Sequence, residues 1–221
     1  MSMRIKHREE DMNKTKTIRR LLCLLLAAAM VFSVALPVFA KFEPPVARMT
    51  IVSYQKKPAS TGHAWLYFEN VSKKTITVGI YKLPPRSGVS VGTFGYIRKE
   101  GPGVYYNVES YITNHQGTKG RVSVSQLITG QQLEKVSKKI NQFKSTWNLA
   151  RNCSYFAGTV WNTVASNRLA AISTPALLRT SMKKYGLKKN VYHQPVLPNQ
   201  VFKQKGSTLK QVRKSTLIAG L

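Results

Sequence analysis

Between Arg48 and about Ile128 the chain alternates short runs rich in Val, Ile, Thr, Tyr and Phe with clusters of turn residues, the pattern of strands and not of helices. The runs are Arg48–Gln55, His63–Val71, Thr75–Leu83, Val89–Ile97, Val104–Ile112 and Arg121–Leu127. Pro58 to Gly62, Ser72-Lys-Lys74, Pro84-Pro85-Arg-Ser-Gly88, Glu100-Gly-Pro-Gly103 and Asn114 to Gly120 separate them. Breaks this short connect antiparallel neighbours, so the pattern predicts a meander without βαβ crossovers. The period then changes. Leu133, Val136, Ile140 and Phe143 recur at helical spacing behind Thr129-Gly-Gln-Gln132, which has the form of a capping box. A second helix is expected from Asn152, burying Phe156, Val160, Trp161 and Val164. A third is expected from Thr174-Pro175 to Gly186, with a cap residue before a proline and a glycine at the stop. Strands first and about three helices second predict an α+β domain, an antiparallel sheet packed with helices. From Asn190 the residues turn to Lys, Gln, Val and Pro with little periodicity, and a basic C-terminal tail is expected over 190–221.

The first forty residues follow a different logic. Lys14, Lys16, Arg19 and Arg20 precede an apolar stretch, Leu21 to Val34, and then Ala35-Leu-Pro-Val-Phe-Ala40 places Val38 and Ala40 at the positions before a signal-peptidase cut. Ser33 and Pro37 interrupt the apolar run, which is at the short edge of the roughly 20 residues a membrane span needs. Residues 1–40 therefore read as a signal peptide cleaved near Ala40. The mature chain would be secreted or held at the cell envelope, with no stable span after processing.

Charge narrows the chemistry. The chain holds 35 Lys and Arg against eight Asp and Glu. Seven of those bases and three of those acids lie in residues 1–40, so the mature chain keeps 28 bases and five acids, all Glu. At 43% hydrophobic residues it is globular in composition, not disordered. Five scattered carboxylates disfavour paired-carboxylate hydrolysis and a carboxylate-bound divalent cation, and no His or Cys spacing suits a metal. No cofactor is expected. The basicity suits anionic envelope polymers. Lysine pairs such as Lys56-Lys57 and Lys138-Lys139 carry no nucleic-acid motif, and an export signal argues against nucleic acid as a partner.

With Cys23 removed in the leader, one cysteine remains, Cys153, which cannot form an internal disulfide. It is a buried apolar residue, an intermolecular linker or a nucleophile. Two segments favour the last. Thr61-Gly-His-Ala-Trp-Leu-Tyr-Phe-Glu-Asn70 opens a strand with His63 behind a glycine, and Trp147 to Asn162 places Cys153 in the first turn of a helix behind Asn152. Unpaired N–H groups and the positive end of the helix dipole favour a thiolate there, and Arg151 adds charge of the same sign. A thiolate beside an imidazole is a nucleophile with its general acid/base, and the helix-terminal N–H groups are available to an oxyanion.

Gly-His-Ala-Trp on a strand, followed by Asn-Cys-Ser, Phe-Ala and Val-Trp-Asn on a helix, resembles the circularly permuted papain-like cysteine hydrolases of the NlpC-type superfamily. The resemblance covers roughly Ile51 to Tyr185. In unpermuted members the cysteine helix precedes the histidine strand; in permuted ones the order is His then Cys, as with His63 and Cys153. It implies a permuted papain-like domain over 41–189, Cys153 as nucleophile and His63 as general base. The activity implied is hydrolysis of an amide or acyl bond, often of bacterial cell-wall peptide, with some acyltransferases in the permuted branch. A non-catalytic basic module that binds envelope polymers is the alternative.

The family's third residue, a polar group that orients the imidazole, normally follows the histidine by about a dozen residues. Here that stretch offers Thr75, Thr77 and Tyr81, and a hairpin turn near Ser72 would bring Tyr81 opposite His63. Asn107 and Glu109 are the other candidates, on one face of the expected strand Val104–Ile112. The three remain open from sequence. Gly79, Gly92 and Gly95 suggest bulges or close backbone approach. His115 is expected in a solvated loop, and His193 in the tail without a companion.

Overall fold

A computed structural model describes residues 16–25, 43–55, 62–95, 100–116, 119–143, 148, 151–171 and 174–213. The chain divides into two units, Met1–Phe42 and Glu43–Leu221. In the first, residues 16–25 form a helix, α1, with exposed side chains. The expected cleavage site at Ala40 lies outside the described residues. Among the described residues no helix is long and apolar enough to cross a membrane.

The second unit is α+β. Its large sheet has eight antiparallel strands in the order β10-β9-β6-β5-β2-β1-β7-β8. At its centre β1 (Pro45–Gln55) pairs with β2 (Gly62–Asn70) and β7 (Arg121–Thr129). Beyond β2 come β5 (Gly88–Phe94) and β6 (Gly103–Tyr106). The edges are β8 (Lys188–Lys189) beside β7, and β9 (Phe202–Lys205) with β10 (Thr208–Gln211) beyond β6.

Register sorts the side chains into two faces. Ile51 lies opposite Leu66 and Val124, and this row belongs to the main core. Three helices supply the other side of that core: α3 (Gly130–Asn141), α4 (Cys153–Trp161) and α5 (Pro175–Met182). All three start as the sequence predicts. Thr129 closes a capping box with Gln132, Asn152 caps α4, and Thr174 caps α5 ahead of Pro175. Ser53 anchors α5 to β1 by donating its hydroxyl to the Pro175 carbonyl at 2.7 Å.

The opposite row carries Tyr54, His63 and Arg121, then Val52, Trp65 and Ser123. A second apolar layer of Tyr105, Val108, Tyr111, Val201 and Val212 covers part of this face. It comes from two places the sequence reading assigned otherwise. The run Val104–Ile112 is not one strand. Asn107 takes a left-handed φ of 66°, which Asn tolerates best among residues with a Cβ, and the chain turns there into helix α2 (Val108–Gln116). Nor are residues 190–213 a loose tail. They lay His193 and Val201, both fully buried, against the sheet and add β9 and β10 to its edge. A strand buried on both faces needs two covering layers, and among the described residues this segment and α2 contribute to the second.

The run Thr75–Leu83 likewise divides. Gly79, with φ of 60°, folds it into a two-stranded hairpin, β3 (Ile76–Val78) and β4 (Tyr81–Leu83), separate from the large sheet. Tyr81 is therefore not opposite His63, whose cross-strand partner is Tyr54. His115 belongs to the last turn of α2 and not to a loop; its ring is exposed and contacts the Tyr111 carbonyl at 2.8 Å.

Candidate active site

Cys153 is the first residue of α4. The Asn152 side-chain oxygen accepts from the N–H groups of Ser154 and Tyr155 at 2.9 and 3.1 Å, which fixes the start of the helix. Phe156, Ala157, Val160 and Trp161 bury the helix in the main core, so the thiol is held by a rigid element.

His63 is the second residue of β2, and its ring and the Cys153 sulfur are near enough to shift each other's protonation. Its Nε2 lies 3.0 Å from Glu109 Oε1. Trp65 stacks on the imidazole with centroids 5.5 Å apart, and Phe94 packs at 4.4 Å. Glu109, in the first turn of α2, is only 2% exposed. Its carboxylate crosses β5 at Gly92. A Cβ there would overlap Oε1, approach Cδ to 2.9 Å and come within 3.4 Å of His63 Nε2. The close approach expected at Gly92 is thus the passage of the Glu109–His63 contact over the strand.

Of the three candidates for the third position, Glu109 alone meets the imidazole. Tyr81 stacks on Tyr106 at 5.7 Å and receives the Asn107 amide at 3.4 Å. Asn107 is a corner: its side chain accepts from Ser90 N–H and donates to the Gln200 carbonyl at 3.0 Å, tying β5, α2 and the C-terminal segment together.

The electrostatics favour charge separation. Burial by itself would lower the His63 pKa, but the Cys153 sulfur and the Glu109 carboxylate, each by charge and hydrogen bond, raise it well above the ordinary value. Burial by itself would raise the Cys153 pKa. The His63 charge, the His63 hydrogen bond, the Ala64 backbone and Ser154 together outweigh it and hold the thiol below its ordinary value. The two shifts describe one arrangement, a thiolate facing an imidazolium.

Two supporting residues escape the sequence reading. Trp65 donates its indole N–H to His193 Nε2 at 2.7 Å, so the neutral His193 ring carries its proton on Nδ1. Burial and then the nearby charge of Arg121 push the His193 pKa down to about 4. His193 thereby fixes the ring that stacks on His63. The signal for it was the unbroken apolar run Ala64-Trp-Leu-Tyr-Phe68, which announces a strand covered on both faces, and a buried indole that needs an acceptor. The other residue is Arg121, which shares a row of the sheet with Tyr54 and His63. No protein-family model, curated protein or solved structure matches the chain.

Proposed function

We propose that this protein is a secreted papain-like cysteine hydrolase of the permuted NlpC type, acting on an amide or related acyl bond such as those of cell-wall peptide. One observation carries the reading. Cys153, His63 and Glu109 come from a helix start, a strand start and a second helix, and the imidazole meets the carboxylate at 3.0 Å while interacting with the sulfur. The Cys153 thiolate attacks the carbonyl carbon, and the resulting oxyanion develops at the start of α4, where the positive end of the helix dipole favours negative charge. His63 gives its proton to the leaving nitrogen as the C–N bond breaks, leaving a thioester. Neutral His63 then takes a proton from water, which attacks the thioester and releases the acid and the thiolate. Glu109 holds the imidazole in orientation and supports its charge through both steps. The test is selective labelling of Cys153 by a thiol-directed amidase probe, read by peptide mass spectrometry against Cys153→Ala. Labelling that is unselective, or independent of pH, sinks the reading.

A second function, adhesion to anionic envelope polymers, draws on the excess of 28 bases over five acids after Ala40. It also draws on a cavity of about 420 Å³ at the far end of β2, where Arg48, Arg86, Tyr192 and Gln194 are among the lining residues. Arg48 is paired with Glu69 at 3.2 Å, which leaves Arg86 as the cation for an anionic group. Salt-sensitive retention on envelopes that survives Cys153→Ala supports adhesion, and loss of retention in that folded variant counts against it.

A further inference from the structure

Arg121 opens β7 and is 7% exposed. Across the sheet it stands in one row with Tyr54 and His63, so the three side chains share a face. Its guanidinium carbon is 5.6 Å from the Trp65 ring centre and 6.0 Å from that of Tyr54. A buried arginine ordinarily spends its donors on a carboxylate or carbonyls. Here Nε and Nη1 are buried with no hydrogen-bond partner among the described residues, and so is Glu109 Oε2. The cation rests on two aromatic faces instead, close enough to Glu109 for their charges to interact.

We propose that Arg121 is a positioning residue of the Cys153–His63 site: it is the fixed counter-charge to the buried Glu109 carboxylate, and through Glu109 it supports His63 against Cys153. The inference rests on the reading of Cys153 and His63 as the reactive pair. Its physics is that of a carboxylate almost sealed from water. Glu109 has one oxygen on His63 and the other without a partner among the described residues, and a buried carboxylate is costly unless positive charge is held nearby. The charged and titratable groups around this cluster come from every packed element: Cys153 on α4, His63 on β2, Tyr54 on β1, Arg121 on β7, Glu109 on α2 and His193 in the C-terminal segment. With His193 neutral, the four charges alternate in sign from Cys153 through His63 and Glu109 to Arg121. No direct bond from Arg121 to the reacting atoms is required.

The test is a cycle on the mature chain, reading the pH midpoint of Cys153 alkylation by iodoacetamide in the wild type, Arg121→Gln, Glu109→Gln and the double variant. Arg121→Gln is expected to raise the midpoint by about one pH unit, a roughly tenfold slower alkylation below it. In the Glu109→Gln background the same change is expected to add nothing. An unchanged midpoint in Arg121→Gln overturns the proposal, as does an equal shift with and without Glu109. Should Arg121→Gln fail to fold, Arg121→Lys decides, because it keeps the charge without the guanidinium fork. A wild-type midpoint supports the counter-charge, and a rise of one unit overturns it. None of these readouts uses an amide substrate, so a protein that obeys them and cleaves nothing refutes the hydrolase reading alone.

Discussion

Gly92→Ala places one methyl group where the Glu109 carboxylate crosses β5, and it isolates the contribution of that carboxylate better than removing it. Gly92 does not require the left-handed backbone region, so alanine adds bulk without strain of its own. The new Cβ would overlap Oε1 and stand 2.9 Å from Cδ, so the carboxylate must retreat by a substantial part of an ångström or more, breaking its 3.0 Å contact with His63 Nε2. A hydrogen bond to a charged group contributes about 1.5–3 kcal/mol. At about 1.4 kcal/mol per pH unit, that is worth one to two units on the imidazolium. Because the thiolate and imidazolium support each other, the Cys153 midpoint should rise by about one unit, and alkylation below it should slow roughly tenfold. Overpacking costs a further 1–3 kcal/mol or so of stability, so circular dichroism must establish that the variant is folded at the assay temperature. The assay is the rate of iodoacetamide alkylation against pH, followed by intact mass. A folded Gly92→Ala protein with the wild-type pH profile would refute the claim that Glu109 supports the His63 charge.

Three other expectations follow from the same geometry. His193 has a folded pKa of about 4, below its unfolded 6.5, so the folded state binds fewer protons between those values. Stability should be full above pH 6.5 and fall by up to about 3 kcal/mol toward pH 4; urea unfolding across that range should show the slope in the wild type and a flatter one in His193→Gln. Truncation after Asn190 removes Val201 and Val212, both fully buried, together with His193, β9 and β10. The two valines alone are worth about 3 kcal/mol or more, a large share of a domain's 5–15 or so, and the truncated chain should lose its cooperative thermal transition; an unaltered melt would refute an integral role for the segment. Tyr81→Phe should leave the alkylation profile of Cys153 unchanged, since Tyr81 meets Asn107 and Tyr106 and not the imidazole; a raised midpoint would return Tyr81 to the site.

The parts of this architecture that follow from local chemistry are legible in the chain. Caps at Thr129, Asn152 and Thr174 mark three helix starts because a side-chain acceptor before a run of apolar spacing has few other uses. The strand period identifies most of the sheet, and the positions of His63 and Cys153 at element starts point to their pairing. What is not legible depends on one residue's backbone or on contacts between distant segments. Asn107 looks like a strand residue within Val104–Ile112, and only its left-handed φ turns the chain so that Glu109 enters from a helix. Gly79 divides a run of uninterrupted strand composition in the same way. The C-terminal segment has no period of its own because it docks by single residues, such as His193 on Trp65 and Val201 beside Tyr105, onto elements far earlier in the chain. Its strands β9 and β10 are four residues each and mostly half-exposed or exposed, so they lack the apolar alternation that marks a strand in sequence.

On the proposed function, Cys153 and His63 form a thiolate–imidazolium pair supported by Glu109. An ultraviolet titration of thiolate absorbance in the chain from Lys41 onward, with Cys153→Ala subtracted as the blank, reads that pair without a substrate. The thiolate is expected to appear at a pH well below the ordinary cysteine range of about 8.5, and His63→Ala is expected to move its appearance back up into or beyond that range. A Cys153 that titrates at the ordinary value, or one indifferent to the loss of His63, would contradict it.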